Sequence, residues 1–155
     1  MNLGEEKLKQ FIRENNIDAT HFHFEKSVKT VADAIEVSGA SLDEIIKTII
    51  FKSSGGPVAA IVSGKFRASK RRIEEAVGEA VTIASPEETL EMVGYPAGGV
   101  PCIGHSAKLV VDPLIFEQKY VFTGGGSLQA LVKISTDEIR KLNPIIKRIR
   151  GKKSN

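Results

Sequence analysis

Apolar positions fall in short blocks that switch between helical and strand spacing, and glycine, asparagine or serine closes most of them. Leu8, Phe11 and Ile12 form one stripe and predict a helix over Glu5–Asn16, stopped at Asn15-Asn16. His21–Phe24 alternates and predicts a strand. Thr30–Val37 reads as a second helix with Gly39 as its stop, and Ser41–Glu44 as a turn of capping-box character. Ile45–Lys52 is rich in isoleucine, threonine and phenylalanine and is the strongest strand signal. Ser53–Gly56 then turns the chain, and Pro57–Ser63 returns to make a hairpin. Ser69–Val77 predicts a helix with a basic start, ended by Gly78, and Ala80–Ala84 a short strand. Ser85-Pro86-Glu87-Glu88 opens another helix, with a serine cap, proline in the first turn and early acids; it stops at Gly94. Further strands are expected at Leu109–Asp112, Tyr120–Thr123 and Leu128–Ile134, with a helical turn over Pro113–Gln118. Ser135–Leu142 predicts the last helix, ended by Asn143-Pro144, and the residues after Ile149 are expected to be disordered.

Strands and short helices are interspersed without a strict βαβ rhythm, which predicts an α+β fold with a mixed sheet. No repeat or linker divides the 155 residues, so one domain is expected over 1–146, followed by a basic tail over 147–155. Hydrophobic residues make up 41% of the chain and no apolar run approaches a membrane span. The N-terminal residues show no signal-peptide pattern, and a single cysteine excludes an internal disulfide framework; both fit a cytoplasmic protein. Net charge is only +3, but it is clustered in Lys65, Arg67, Lys70, Arg71 and Arg72 and again in Lys147, Arg148, Arg150, Lys152 and Lys153. Such clusters either track phosphates or form solvated faces.

Candidate chemistry concentrates in a few places. Gly94–His105 holds four glycines, two prolines and no acid, lysine or arginine. It suits a pocket wall of rigid amide donors, or simply a tight connection. Lys47 interrupts the apolar strand on one face with Ile45, Ile49 and Phe51; it needs a partner, a ligand or a path to water. Cys102 reads as a nucleophile beside glycine amides or as a small packing residue. His21 and His23 share a strand face and, with His105, offer a three-histidine metal site that nothing in the spacing demands. Gly124–Gly126 follows a strand but lacks the ending of a phosphate loop; it can still line a pocket by close backbone approach.

In this order the pieces resemble the YbaK/ProX group of aminoacyl-tRNA deacylases, which also occur as editing domains within bacterial prolyl-tRNA synthetases. The resemblance rests on Gly94-Tyr95-x-x-Gly98-Gly99-Val100-x-x-Ile103-Gly104-His105, on Lys47-Thr48, on Val111-Asp112-x-Leu114 and on the glycines before the last strand. It runs from about Leu42 to Leu142. It implies a single domain with a mixed, barrel-like sheet flanked by short helices, and hydrolysis of the ester of a mischarged tRNA without metal or other cofactor. Lys47 lies where the family keeps an essential lysine, and Gly98 and Gly99 begin its substrate-holding loop, which continues through Val100, Pro101, Cys102, Gly104 and His105. Cys102 stands at the usual proline of that loop. Thr30 and Gly124, Gly125 and Gly126 fall at pocket-wall positions, and Ser127-Leu128-Gln129 replaces an acid that some relatives use to choose the amino acid. The family activates water through the substrate, often with the terminal ribose hydroxyl.

The implied function is trans-acting editing of mischarged tRNA, with tRNA-Pro first among candidates, the aminoacylated 3′ end as partner, and a synthetase as a further one. A binding module for aminoacyl-adenosine, nucleotide or tRNA, without turnover, is the alternative. Neither the amino acid removed nor the oligomeric state is legible in these residues. The reading requires one cavity to join the Lys47 ammonium to Gly98 and Gly99.

Overall fold

The computed structural model describes residues 2–154. Its elements are α1 (Leu3–Glu14), β1 (Ala19–His23), α2 (Val31–Ser38), β2 (Ile46–Ser53), β3 (Gly56–Ser63), β4 (Phe66–Ala68), α3 (Lys70–Val77), β5 (Thr82–Ile83) and α4 (Pro86–Val93). There follow β6 (Lys108–Val111), β7 (Tyr120–Gly124), β8 (Ala130–Ser135), α5 (Thr136–Arg140), β9 (Ile145–Ile146) and β10 (Arg150–Lys153). Two 3-10 turns, Leu42–Glu44 and Pro113–Glu117, complete the set. Among the described residues no helix is long and apolar enough to cross a membrane.

Local signals set the helix ends. Gly39, Gly78 and Gly94 close α2, α3 and α4 with φ of 76°, 78° and 80°, the left-handed turn that favours glycine. Ser85 and Glu88 cap α4 reciprocally, with Pro86 in its first turn.

The main sheet has the order β5-β2-β3-β6-β9. β2 pairs antiparallel with β3 and β5, whereas β6 runs parallel to β3 and β9 to β6, so the sheet is mixed as expected. β3 sits at its centre, with Ala59, Ala60, Ile61 and Val62 all at 0% exposure, because both faces of the sheet are covered. The period of two sorts these residues: Ala59 and Ile61 join Leu8, Tyr95, Ile103 and Ile134, while Val58, Ala60 and Val62 join Ile73, Val81 and Ile149. A second sheet, β1-β8-β7, is antiparallel and touches the first through a parallel bridge between Ile45 and Phe122. The sheets lean together without closing into a barrel.

The C-terminal residues depart from the expected disorder. Arg150–Lys153 forms β10 and pairs antiparallel with β4. The cause is distant in sequence. The Asp112 carboxylate, fully buried, accepts from the amides of Ile149 and Arg150 at 2.9 Å each and from the Arg150 guanidinium at 2.6 Å. Ile149 is buried in the second core cluster, and the Ser154 amide donates to the Lys65 carbonyl at 2.8 Å. These bonds satisfy backbone groups that a frayed end would leave to water.

Candidate functional site

Lys47 lies on β2 opposite Val62, on the face that also carries Ile49 and Phe51. Its ammonium is half-buried and donates to the Ser154 hydroxyl at 3.2 Å. Burial first, and the nearby Arg67 charge second, hold its pKa below the usual lysine range. Among the described residues no carboxylate lies within ion-pair distance of it.

Lys47, Thr48, Thr30, Gly98, Val100 and Gly124 line one cavity of about 250 Å³. Val28, Ala34, Ile45 and Leu131 supply an apolar wall. One cavity therefore joins Lys47 to Gly98, but Gly99, expected beside them, does not line it. Gly98 has φ of 89°, which a side chain would strain.

The two glycine loops meet main chain to main chain. A Cβ on Gly124 would lie 2.5 Å from the Val100 carbonyl oxygen, and one on Gly99 would lie 2.6 Å from that of Ser127. The Gly126 amide donates to the Gly99 carbonyl at 2.9 Å. The Gly99 amide closes a turn onto the Pro96 carbonyl at 2.9 Å, and the Cys102 amide donates to the Thr123 hydroxyl at 3.0 Å. The amides of Gly98 and Val100 have no protein acceptor among the described residues. Within this loop those two amides, rather than that of Gly99, lack a protein acceptor and are available to a ligand.

Thr48 was legible in the motif but not as a site residue. Its hydroxyl oxygen is buried and has no hydrogen-bond partner among the described residues, although Thr48 lines the cavity. A buried orphan of this kind marks a place for a ligand or an ordered water. Ser154 carried no sequence signal; only the pairing of β10 brings it to Lys47.

The rest of the expected set lies elsewhere. Cys102, Gly104 and His105 line a separate cavity of about 510 Å³ with Phe11, Leu142 and Asn143. The His105 ring bonds the Pro101 carbonyl through Nε2 at 2.9 Å, and its Nδ1 accepts from the Ala107 amide at 3.3 Å. Burial holds the His105 pKa below the usual histidine range. The Tyr95 hydroxyl donates to the Gly104 carbonyl, which pins this half of the loop. Gly126 borders a cleft beside the start of α1, and Gly125 packs on the backbone of Ala130 and Leu131.

The three histidines do not converge. His21 Nε2 meets the Gly125 carbonyl at 2.8 Å and His23 Nδ1 meets the Glu5 carboxylate at 3.0 Å, both away from the His105 cavity. No three His, Cys, Asp or Glu side chains among the described residues are grouped to hold a metal ion. Cys102 is fully buried, and burial pushes its thiol up to about 12, which disfavours the thiolate. Iodoacetamide at pH 8 is therefore expected to leave the folded protein unlabelled and to modify one thiol once denaturant is added, as mass spectrometry would read.

The chain is similar to known proteins in both sequence and fold. Residues 25–142 match the profile of the aminoacyl-tRNA editing domain. YwhH, an uncharacterized protein of Bacillus subtilis (strain 168), is 29% identical over 137 residues, covering 86% of this chain and 85% of its own. The proline–tRNA ligase of Thermosipho melanesiensis is 31% identical over 101 residues; the match covers 64% of this chain but only 18% of the ligase. Among solved structures, hypothetical protein APE2540 superposes with a TM-score of 0.86 at 30% identity, covering 94% of this chain and 99% of the other. A candidate trans-editing enzyme for prolyl tRNA synthetase superposes at 0.89 with 23% identity, over 98% and 99% of the two chains, a likeness of fold. With the profile spanning most of its length and the lysine and glycine loop sharing one cavity, the chain belongs to the aminoacyl-tRNA editing domain family, in its YbaK/ProX group.

Proposed function

We propose that this protein hydrolyses the ester between a small amino acid and tRNA, acting in trans, with tRNA-Pro as the first substrate to test. One observation carries the reading: an ammonium without a carboxylate partner among the described residues lines the same cavity as two amides without acceptors. Ester hydrolysis passes through a tetrahedral oxyanion, and amide donors already fixed in place stabilise it without reorganising. Gly98 and Val100 supply such donors, and Lys47 supplies the positive charge that holds the ribose–ester end against them.

Lys29 and Lys47 are the titratable side chains lining this cavity; no histidine or carboxylate joins them there. The vicinal ribose hydroxyl of the substrate, next to the ester, then orients and activates the water, as the resemblance to the deacylases implies. Water adds to the carbonyl carbon, the acyl C–O bond breaks, and the ribose oxygen takes the proton. The products are the free amino acid and tRNA with its terminal hydroxyl restored. A cavity of about 250 Å³ is at the small end of ligand sites, and its apolar wall suits a small apolar side chain. The kinship with proline–tRNA ligases points to tRNA-Pro.

The test is release of amino acid from a panel of mischarged tRNAs. Release from a tRNA-Pro bearing a small non-cognate amino acid is the expected result. No release from any member at high enzyme concentration removes the enzymatic claim. Saturable binding of a non-hydrolysable aminoacyl-adenosine analogue, with every ester intact, would identify a binding module instead.

A further inference from the structure

A second cleft, of about 570 Å³, adjoins the first and shares Thr30, Val31 and Lys47 with it. Its other charged walls are Lys65 and Lys153, and Ser154, next to Lys153 in the chain, accepts from the Lys47 ammonium. The pairing of β10 with β4 sets Lys153 opposite Phe66, next to Lys65, and the Ser154 amide bonds the Lys65 carbonyl. Three lysines thus line one cleft; Asp43 pairs with Lys65, while Lys47 and Lys153 have no acid partner among the described residues. The cleft therefore keeps net positive charge that an anion would meet. The wall is also built rather than frayed, since the buried Asp112 carboxylate anchors the chain at Ile149 and Arg150.

We propose that β10 is part of the substrate site: Lys65 and Lys153 hold phosphates near the 3′ end of an RNA strand whose terminal ester reaches the inner cavity past Lys47. The proposal rests on the editing reading for its ester, but its phosphate claim is tested without turnover. A ligand lying across the shared wall formed by Thr30, Val31 and Lys47 has its acyl group among apolar side chains and its phosphodiesters among lysines. Lysine binds phosphate as a point charge and sets no base preference. The site accordingly recognises a strand end rather than a sequence.

The experiment measures binding of a fluorescein-labelled single-stranded RNA hexamer with a free 3′ hydroxyl, by anisotropy across a salt series. Wild type is compared with the Lys65→Ala/Lys153→Ala pair, the Lys65→Gln/Lys153→Gln pair, and a control pair, Lys9→Ala/Lys141→Ala, on surfaces away from the cleft. Each lost phosphate contact on a single strand lowers the salt slope by about 0.7, so both cleft pairs are expected to lose about 1.4 from it. Their affinity at low salt should fall at least about tenfold, with the control pair unchanged. An unchanged slope in the cleft pairs, an equal loss in the control pair, or no measurable wild-type binding at low salt would overturn the proposal. Turnover of mischarged tRNA by wild type, assayed in parallel, separates the two readings. A lost slope with no hydrolysis removes only the editing activity, and hydrolysis with an unchanged slope removes only the role of β10.

Discussion

Replacing Lys47 with alanine lowers deacylation by about 10²- to 10³-fold while the protein stays folded, the scale seen when one preorganised charge-stabilising group is removed. The half-buried ammonium is the cation on the β2 wall of the cavity it shares with Gly98, and the Gly98 and Val100 amides remain in the variant. Binding of a transition-state mimic should therefore weaken with the rate. Stability should not suffer from the lost charge. The Lys47 pKa is lowered in the fold, so between that value and 10.5 the unfolded chain keeps a proton that the folded chain has released. Stability from this group accordingly rises with pH through that window, and below it the buried charge is a penalty that alanine removes. Activity has the opposite dependence, because it needs the charged form. After subtraction of the enzyme-free rate, wild type should lose activity on the alkaline side below pH 10.5, and Lys47→Ala should lack that limb. A variant with unchanged kcat and an unchanged pH profile would contradict the role.

Asp112→Ala should be the most damaging single change away from the cavity. Asp112 is fully buried and accepts from the amides of Leu114, Ile149 and Arg150 and from the Arg150 guanidinium. Removing one partner of a buried pair costs about 3–5 kcal/mol, because the remaining charge and donors are left without acceptors. Urea unfolding should show a lower midpoint. Asp112→Asn keeps the shape but turns one acceptor into a donor facing two amides, so it should recover little. With β10 released, the Lys47–Ser154 bond is lost as well. The salt slope of RNA binding should then move toward that of the Lys65/Lys153 pair even under conditions where the core remains folded. Full stability in either variant would show that Asp112 is not the anchor.

What the amino-acid order disclosed was mostly local. Glycine stops at Gly39, Gly78 and Gly94 were visible because each requirement lies within one turn of backbone. Lys47 was visible because a charge within an apolar strand stands out, and Gly98 through the resemblance of its loop to the family's substrate-holding motif. The division of that loop was hidden. Its second half turns to another cavity because the Cys102 amide is drawn to Thr123 and the Gly104 carbonyl to Tyr95, contacts set by tertiary packing. β10 was hidden more deeply. Arg150-Gly151-Lys152-Lys153 has no apolar alternation, and its partner β4 and its anchor Asp112 both lie far back along the chain. Thr48 reads as an ordinary β-branched strand residue until its hydroxyl is found buried without a partner.

For the proposed reaction, the contact between the two glycine loops constrains how preference for one acyl group can drift. Where Gly99 and Gly124 abut neighbouring main chain, any side chain collides with atoms that cannot rotate aside. That rim is a rigid gauge, closed to gradual resizing by substitution. Selectivity is then tuned from the apolar lining, where residues such as Val28, Ala34 and Leu131 can gain or lose a methylene at a time, each step shifting discrimination by about 1–3 kcal/mol.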